Sequence, residues 1–144
     1  MASGQFISGK DENRIAQYTT GTAIAAASQA IVSLVELSIG TGNWLITYNT
    51  PLNSHEFAVH GRSYAALYAN DVLIPGSVTS CRTQETVTYN VQHQVGASVI
   101  YRNSSGSDVV IDIGCWIETG TNAYNAIEIP AHGNFPTIIA TRID

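Results

Sequence analysis

The chain has 144 residues, enough for one domain with a hydrophobic core of its own and no need of disulfide or metal staples. Hydrophobic residues make up 44% and charged residues only 12%, against roughly 25% charged in an average globular chain, which excludes intrinsic disorder. Six Lys+Arg against eleven Asp+Glu give a net charge of −5 and a pI of about 5.2, so the basic footprint of a nucleic-acid binder is missing. Ser, Thr, Asn, Gln and Gly must therefore cover most of the surface. With Lys10 as the single lysine, such a surface lacks the charge that keeps β edges apart. Contact with other protein chains is expected.

Residues 1–29 hold Gly4, Gly9, Gly21 and the run Lys10-Asp11-Glu12, with neither a helical nor a strand period of useful length. They read as an extended N-terminal arm, in which Ala23 to Ala27 suits one helical turn. Met1 to Gln5 shows neither the charged nor the apolar region of a signal peptide.

From residue 30 the period is two. Ile31, Val35, Leu37 and Ile39 share a face; Trp44, Ile46 and Tyr48 follow, then Phe57 and Val59. Tyr64 and Tyr68 share a face opposite Leu67. Val87, Tyr89, Val91, His93 and Val95 alternate with Thr, Asn and Gln, and Ala97, Val99 and Tyr101 come next. Val109, Ile111, Ile113, Cys115 and Ile117 form one row, with Trp116 on the other side. Ile127 and Ile129 flank Glu128, and Phe135, Ile139 and Ile143 line up near the end. Gly40-Thr41-Gly42-Asn43, Asn70-Asp71, Pro75-Gly76, Asn103-Ser104-Ser105-Gly106 and Gly120-Thr121-Asn122 supply turn chemistry between these strands. Strands at this spacing, with no helical pattern between them, predict an all-β antiparallel jelly-roll sandwich over residues 30–144.

Motif matches are weak. Gly4 to Lys10 follows a phosphate-binding loop for seven positions, but the eighth is Asp11 instead of Ser or Thr, and no strand precedes it. His55 and His60 are five apart, which on a strand sends them to opposite faces and away from a shared metal. Asp108 and Asp112 share a face but supply too few oxygens for calcium. His93 lies on an apolar row and reads as a hydrogen-bonded structural or interface histidine. Cys81 and Cys115 read as free buried thiols. The pattern points to no catalytic residue, cofactor, metal or membrane span. Tyr64, Tyr68 and Trp116 remain as exposed aromatics suited to a subunit interface or to stacking on a glycan.

Three segments carry a resemblance. LSIGTGNWLITYNT (Leu37 to Thr50) resembles the opening strands of small trimeric jelly rolls in tailed-bacteriophage virions, with an apolar strand, a Gly turn and a Trp-led strand. SYAALYANDVLIPGSVTS and VGASVIYRNSSGSDVVI resemble the later hairpins of the same tumour-necrosis-factor/complement-like domain. The chain departs at its end, where Phe135 to Thr141 stands in place of the Gly-Phe-Leu type strand that often closes such domains.

The resemblance implies a homotrimer packing flat sheet faces around an axis, a virion structural protein on the capsid surface, and no enzyme. A capsid decoration (cement) protein would hold the major capsid protein through Phe6, Ile7, Lys10, Asp11, Glu12, Arg14, Ile15 and Tyr18 of the arm. The alternative is a receptor- or carbohydrate-binding tail-fibre or head-fibre tip that meets a host surface glycan through Tyr64, Tyr68 and Trp116.

Overall fold

A computed structural model describes residues 3–6, 12–17, 23–24, 32–54, 61–83, 91–118, 127–128 and 136–144. Among the described residues the regular structure is all strand: β1 (Ser3–Phe6), β2 (Glu12–Gln17), β3 (Ala23–Ile24), β4 (Val32–Ile39), β5 (Gly42–Ser54), β6 (Gly61–Ala69), β7 (Val72–Leu73), β8 (Thr79–Thr83), β9 (Val91–Asn103), β10 (Val109–Glu118), β11 (Ile127–Glu128) and β12 (Thr137–Arg142).

The strands form two antiparallel sheets. One has the order β1-β2-β12-β5-β9; the other runs β4-β10-β6-β7, with β8 also paired to β6. Set aside the short β3, β7 and β11 and the leading β1, and eight strands remain. Counted along the chain, they lie first-eighth-third-sixth in one sheet and second-seventh-fourth-fifth in the other. This nesting is the jelly roll. A small third sheet pairs β11 with β3.

Alternation explains the core. Trp44, Ile46, Tyr48 and Leu52 of β5 and Ile138 and Ala140 of β12 face Leu37 and Ile39 of β4, Ala65 and Leu67 of β6, and Ile111 and Ile113 of β10. Each is on the inward row of its strand, and all are buried. The rows expected through Val109 to Cys115 and through Trp44, Ile46 and Tyr48 are these inward rows. Val95, Ala97, Val99 and Tyr101 belong to one continuous edge strand, β9, and are partly buried against the core.

The turns are where the turn residues stand. Asn70 and Asp71 have φ of 46° and 65°, the pair of positive values a two-residue hairpin needs between β6 and β7. Asn103 takes up the β9–β10 connection: its side-chain oxygen accepts from the Ser105 amide at 3.0 Å, and its amide donates to the Ser107 carbonyl at 2.7 Å.

Two local readings are corrected. At the end of the chain the buried residues are Ile138 and Ala140, while Ile139 and Ile143 are exposed. With isoleucines on both rows, hydrophobicity alone does not choose the face; pairing of Ile138 with Tyr48 and Ala140 with Ile46 does. Ala23 and Ile24 are strand, paired with Glu128 and Ile127, and not part of a helical turn; tertiary pairing overrides the helix propensity of alanine.

The N-terminal segment is also more integrated than an arm lying apart. β2 pairs with β12 from Thr137 opposite Gln17 through Thr141 opposite Asn13, and β1 pairs with β2. Ala16 is buried. Arg14 points the same way, its Nη1 donating to the Ser38 carbonyl at 2.6 Å and its guanidinium lying 5.8 Å from the Trp44 ring centroid. Ile15 points outward.

Candidate functional site

The outward faces of the two sheets carry different chemistry. On the β4-β10-β6 sheet, register sets Trp116 opposite Tyr64, Gly114 opposite Ala66, and Asp112 opposite Tyr68. On the other side of β10, Asp112 is opposite Glu36. The three aromatics singled out by alternation are thereby brought together. The Tyr64 and Trp116 rings are stacked, with centroids 5.2 Å apart and planes 6° from parallel. Tyr68 meets Trp116 edge-on, with centroids 6.5 Å apart and planes at 78°. These are the offset-stacked and T-shaped arrangements that the ring quadrupoles favour. Between the rings lie Gly114 and Ala66, the smallest side chains available, both buried. Tyr68 is 8% exposed, while Tyr64 and Trp116 are partly exposed. Burial is the first cause that pushes the Tyr68 phenol above its ordinary range, and the neighbouring Asp112 charge adds to it.

Among the described residues the outward face of the β1-β2-β12-β5-β9 sheet has neither rings nor acids at its centre. Ile15 is paired with Ile139, Ile139 with Thr47, and Thr47 with Ser98; on the adjacent row Thr141 is paired with Leu45 and Leu45 with Ile100. Ile15, Leu45, Ile139 and Ile100 are all exposed, Ile100 at 71%. The polar groups among them bond sideways: the Thr47 and Ser98 hydroxyls are 2.8 Å apart, and the Gln94 side-chain Nε2 donates to the Asn49 side-chain Oδ1. Among the described residues charge returns at one end of the strands, where Arg102 lies opposite Asn43 and Asp144 accepts from the Asn43 amide at 3.2 Å.

The remaining candidates are scattered. His93 is on β9, half-buried, in the other sheet from the aromatic group. Phe6 lies at the end of β1, and Glu12, Arg14 and Ile15 are in β2. Ile7, Lys10, Asp11 and Tyr18, like His55 and His60, lie outside the described residues. Cys81 and Cys115 are free and buried. Among the described residues no three His, Cys, Asp or Glu side chains are grouped as metal ligands, and no helix is long and apolar enough to cross a membrane.

The neutral, aliphatic face is the surface that alternation alone did not reveal. Its rows come from four strands distant in the chain, and only the register puts Ile15, Ile139, Leu45 and Ile100 side by side. No protein-family model and no curated protein matches the chain.

Proposed function

We propose that this protein is a virion structural protein, a trimeric capsid decoration protein of a tailed bacteriophage, whose copies pack through the outward face of the β1-β2-β12-β5-β9 sheet. The observation that carries the reading is the uncharged centre of that face in a chain of net charge −5. Copies of an acidic protein repel one another unless the surfaces that meet lack the acids. Aliphatic side chains supply apolar area, and polar groups already bonded to each other lose little when water leaves. The jelly-roll nesting of the strands and the resemblance of Leu37 to Thr50 support the same class.

The N-terminal segment is the part assigned to the capsid. Because β2 supplies the buried Ala16 and the inward Arg14, the segment that meets the coat begins before residue 12.

Light scattering of the purified protein tests the assembly. A particle of three 15.4 kDa chains is expected. Ile100→Glu, at the most exposed aliphatic position of the face, is expected to give monomers with an unchanged circular dichroism spectrum. Binding to purified expanded heads tests the role, and removal of residues 2–11, which spares β2, is expected to abolish it. A wild-type chain that is monomeric at every concentration, or that leaves heads undecorated, overturns the proposal.

A further inference from the structure

The aromatic face of the other sheet has a chemistry that a protein interface does not require. Tyr64 and Trp116 are partly exposed, their rings held by stacking on each other and by the edge of the buried Tyr68. Asp112 and Glu36 stand in the adjoining row, opposite one another across β10 and β4, with Asp112 also opposite Tyr68. Ionised carboxylates only accept hydrogen bonds. Ring faces are electronegative and attract polarised C–H bonds. A ligand complementary to both has many hydroxyl donors on its rim and an apolar face of C–H bonds. That is the chemistry of a pyranose sugar.

We infer that Tyr64, Trp116, Asp112 and Glu36 form a binding site for an extended oligosaccharide of pyranose units, with Tyr68 as the positioning residue behind the rings. From Asp112 to Trp116 is four residues along one strand, about 13 Å, or roughly two to three sugar units in an extended chain. Gly114 beside Ala66 lies between the stacked rings and the acids, and both are buried where Tyr68 leans to the edge of Trp116, so the rings and the acids border one continuous aromatic ledge. On this ledge the outer edge of the ring pair is to take the C–H face of one unit, and the carboxylates of Asp112 and Glu36 are to accept from the hydroxyls of the next. The rings and acids set this face apart from the aliphatic face of the other sheet. This site goes beyond the structural role proposed above and does not depend on it, because the free protein suffices for the test.

Cellotetraose and chitotetraose are the probes, titrated into the full-length protein while tryptophan fluorescence is followed. The chain has two tryptophans and Trp44 is fully buried, so the change reports on Trp116. Saturable binding of at least one probe is expected, with a Kd on the order of 1 mM or tighter. Trp116→Ala is expected to weaken it at least ~10-fold by calorimetry, with Trp116→Phe retaining part and Asp112→Asn weakening it less. The conservative Phe and Asn variants keep the comparison meaningful if the alanine variant folds poorly. Absence of saturable binding by both probes to the wild-type protein overturns the inference. So does binding that the folded Trp116 and Asp112 variants leave unchanged.

Discussion

The phenol of Tyr48, on the inward row of β5, reaches the opposite sheet and lies within hydrogen-bonding distance of the Ser77 carbonyl, at 2.8 Å. The Ala65 carbonyl is 2.9 Å away and the Thr79 hydroxyl 2.6 Å away, so one side chain ties β5 to β6 and to the entry of β8. Tyr48→Phe keeps the ring and removes the tie, leaving buried acceptors short of a donor. The expected loss is about 1–3 kcal/mol, read as a lower denaturant midpoint with an unchanged slope.

The same residue makes stability depend on alkaline pH. Burial pushes the Tyr48 phenol from 10.0 up to about 12. The folded state therefore holds its proton more tightly than the unfolded chain does. That contribution is fully present below pH 10 and is lost as pH rises through about 12. Burial also raises the Cys81 and Cys115 thiols, with the same sign. Stability is expected to fall across that window, and Tyr48→Phe to flatten the fall. A pH series of denaturant melts on the two proteins checks it.

The period-two rows made most of this legible in advance. Trp44, Ile46 and Tyr48 face inward, and Tyr64, Tyr68 and Trp116 share an outward face, because strand alternation leaves no other choice once the strands exist. The N-terminal strand was not legible. In β2 the polar Arg14 turns inward and the apolar Ile15 outward, inverting the expected pattern. Arginine is tolerated there because its charge meets a carbonyl and an indole instead of bare hydrocarbon. The acid-free face was hidden for another reason. It is assembled by register between distant strands, and a single chain's periodicity does not encode register.

Gly96 marks a close backbone approach within the β1-β2-β12-β5-β9 sheet. It lies opposite Asn49 in the β5–β9 ladder, where an added Cβ would run into the Tyr48 carbonyl oxygen and come within 3.3 Å of the Asn49 Cα. Both obstacles are backbone, so no side chain can swing away. Gly96→Ala is expected to cost ~1–3 kcal/mol through strand displacement. Faster amide exchange on both sides of the β5–β9 pairing is the measurement.

Arg14 predicts how firmly the N-terminal strands are held. Its guanidinium joins β2, in one sheet, to the Ser38 carbonyl of β4, in the other. Arg14→Leu keeps apolar bulk over Trp44 but removes the charge-assisted bond, worth about 1.5–3 kcal/mol. Amides of β2 are expected to lose protection ahead of those of β5 and β10 in native-state hydrogen exchange. Equal loss everywhere would mean that β2 opens only with the whole sandwich.

The two thiols give the last test, and it is geometric. Cys115 of β10 lies opposite Ala65 of β6, and Cys81 of β8 lies opposite Ser63 of the same strand, so β6 runs between them. Two strand spacings put their backbones roughly 9–10 Å apart, beyond the ~7 Å limit for a disulfide. Burial also raises both thiols, leaving less of the reactive thiolate at neutral pH. The native protein is therefore expected to stay reduced under air. Its reaction with a thiol reagent such as dithionitrobenzoate should be slow, with Cys115 the slower of the two because it is the more deeply buried. Both should react at once in denaturant. Rapid labelling of Cys115 in the native state, or a disulfide between the two found by mass spectrometry, would contradict the pairing of β6 with both β8 and β10.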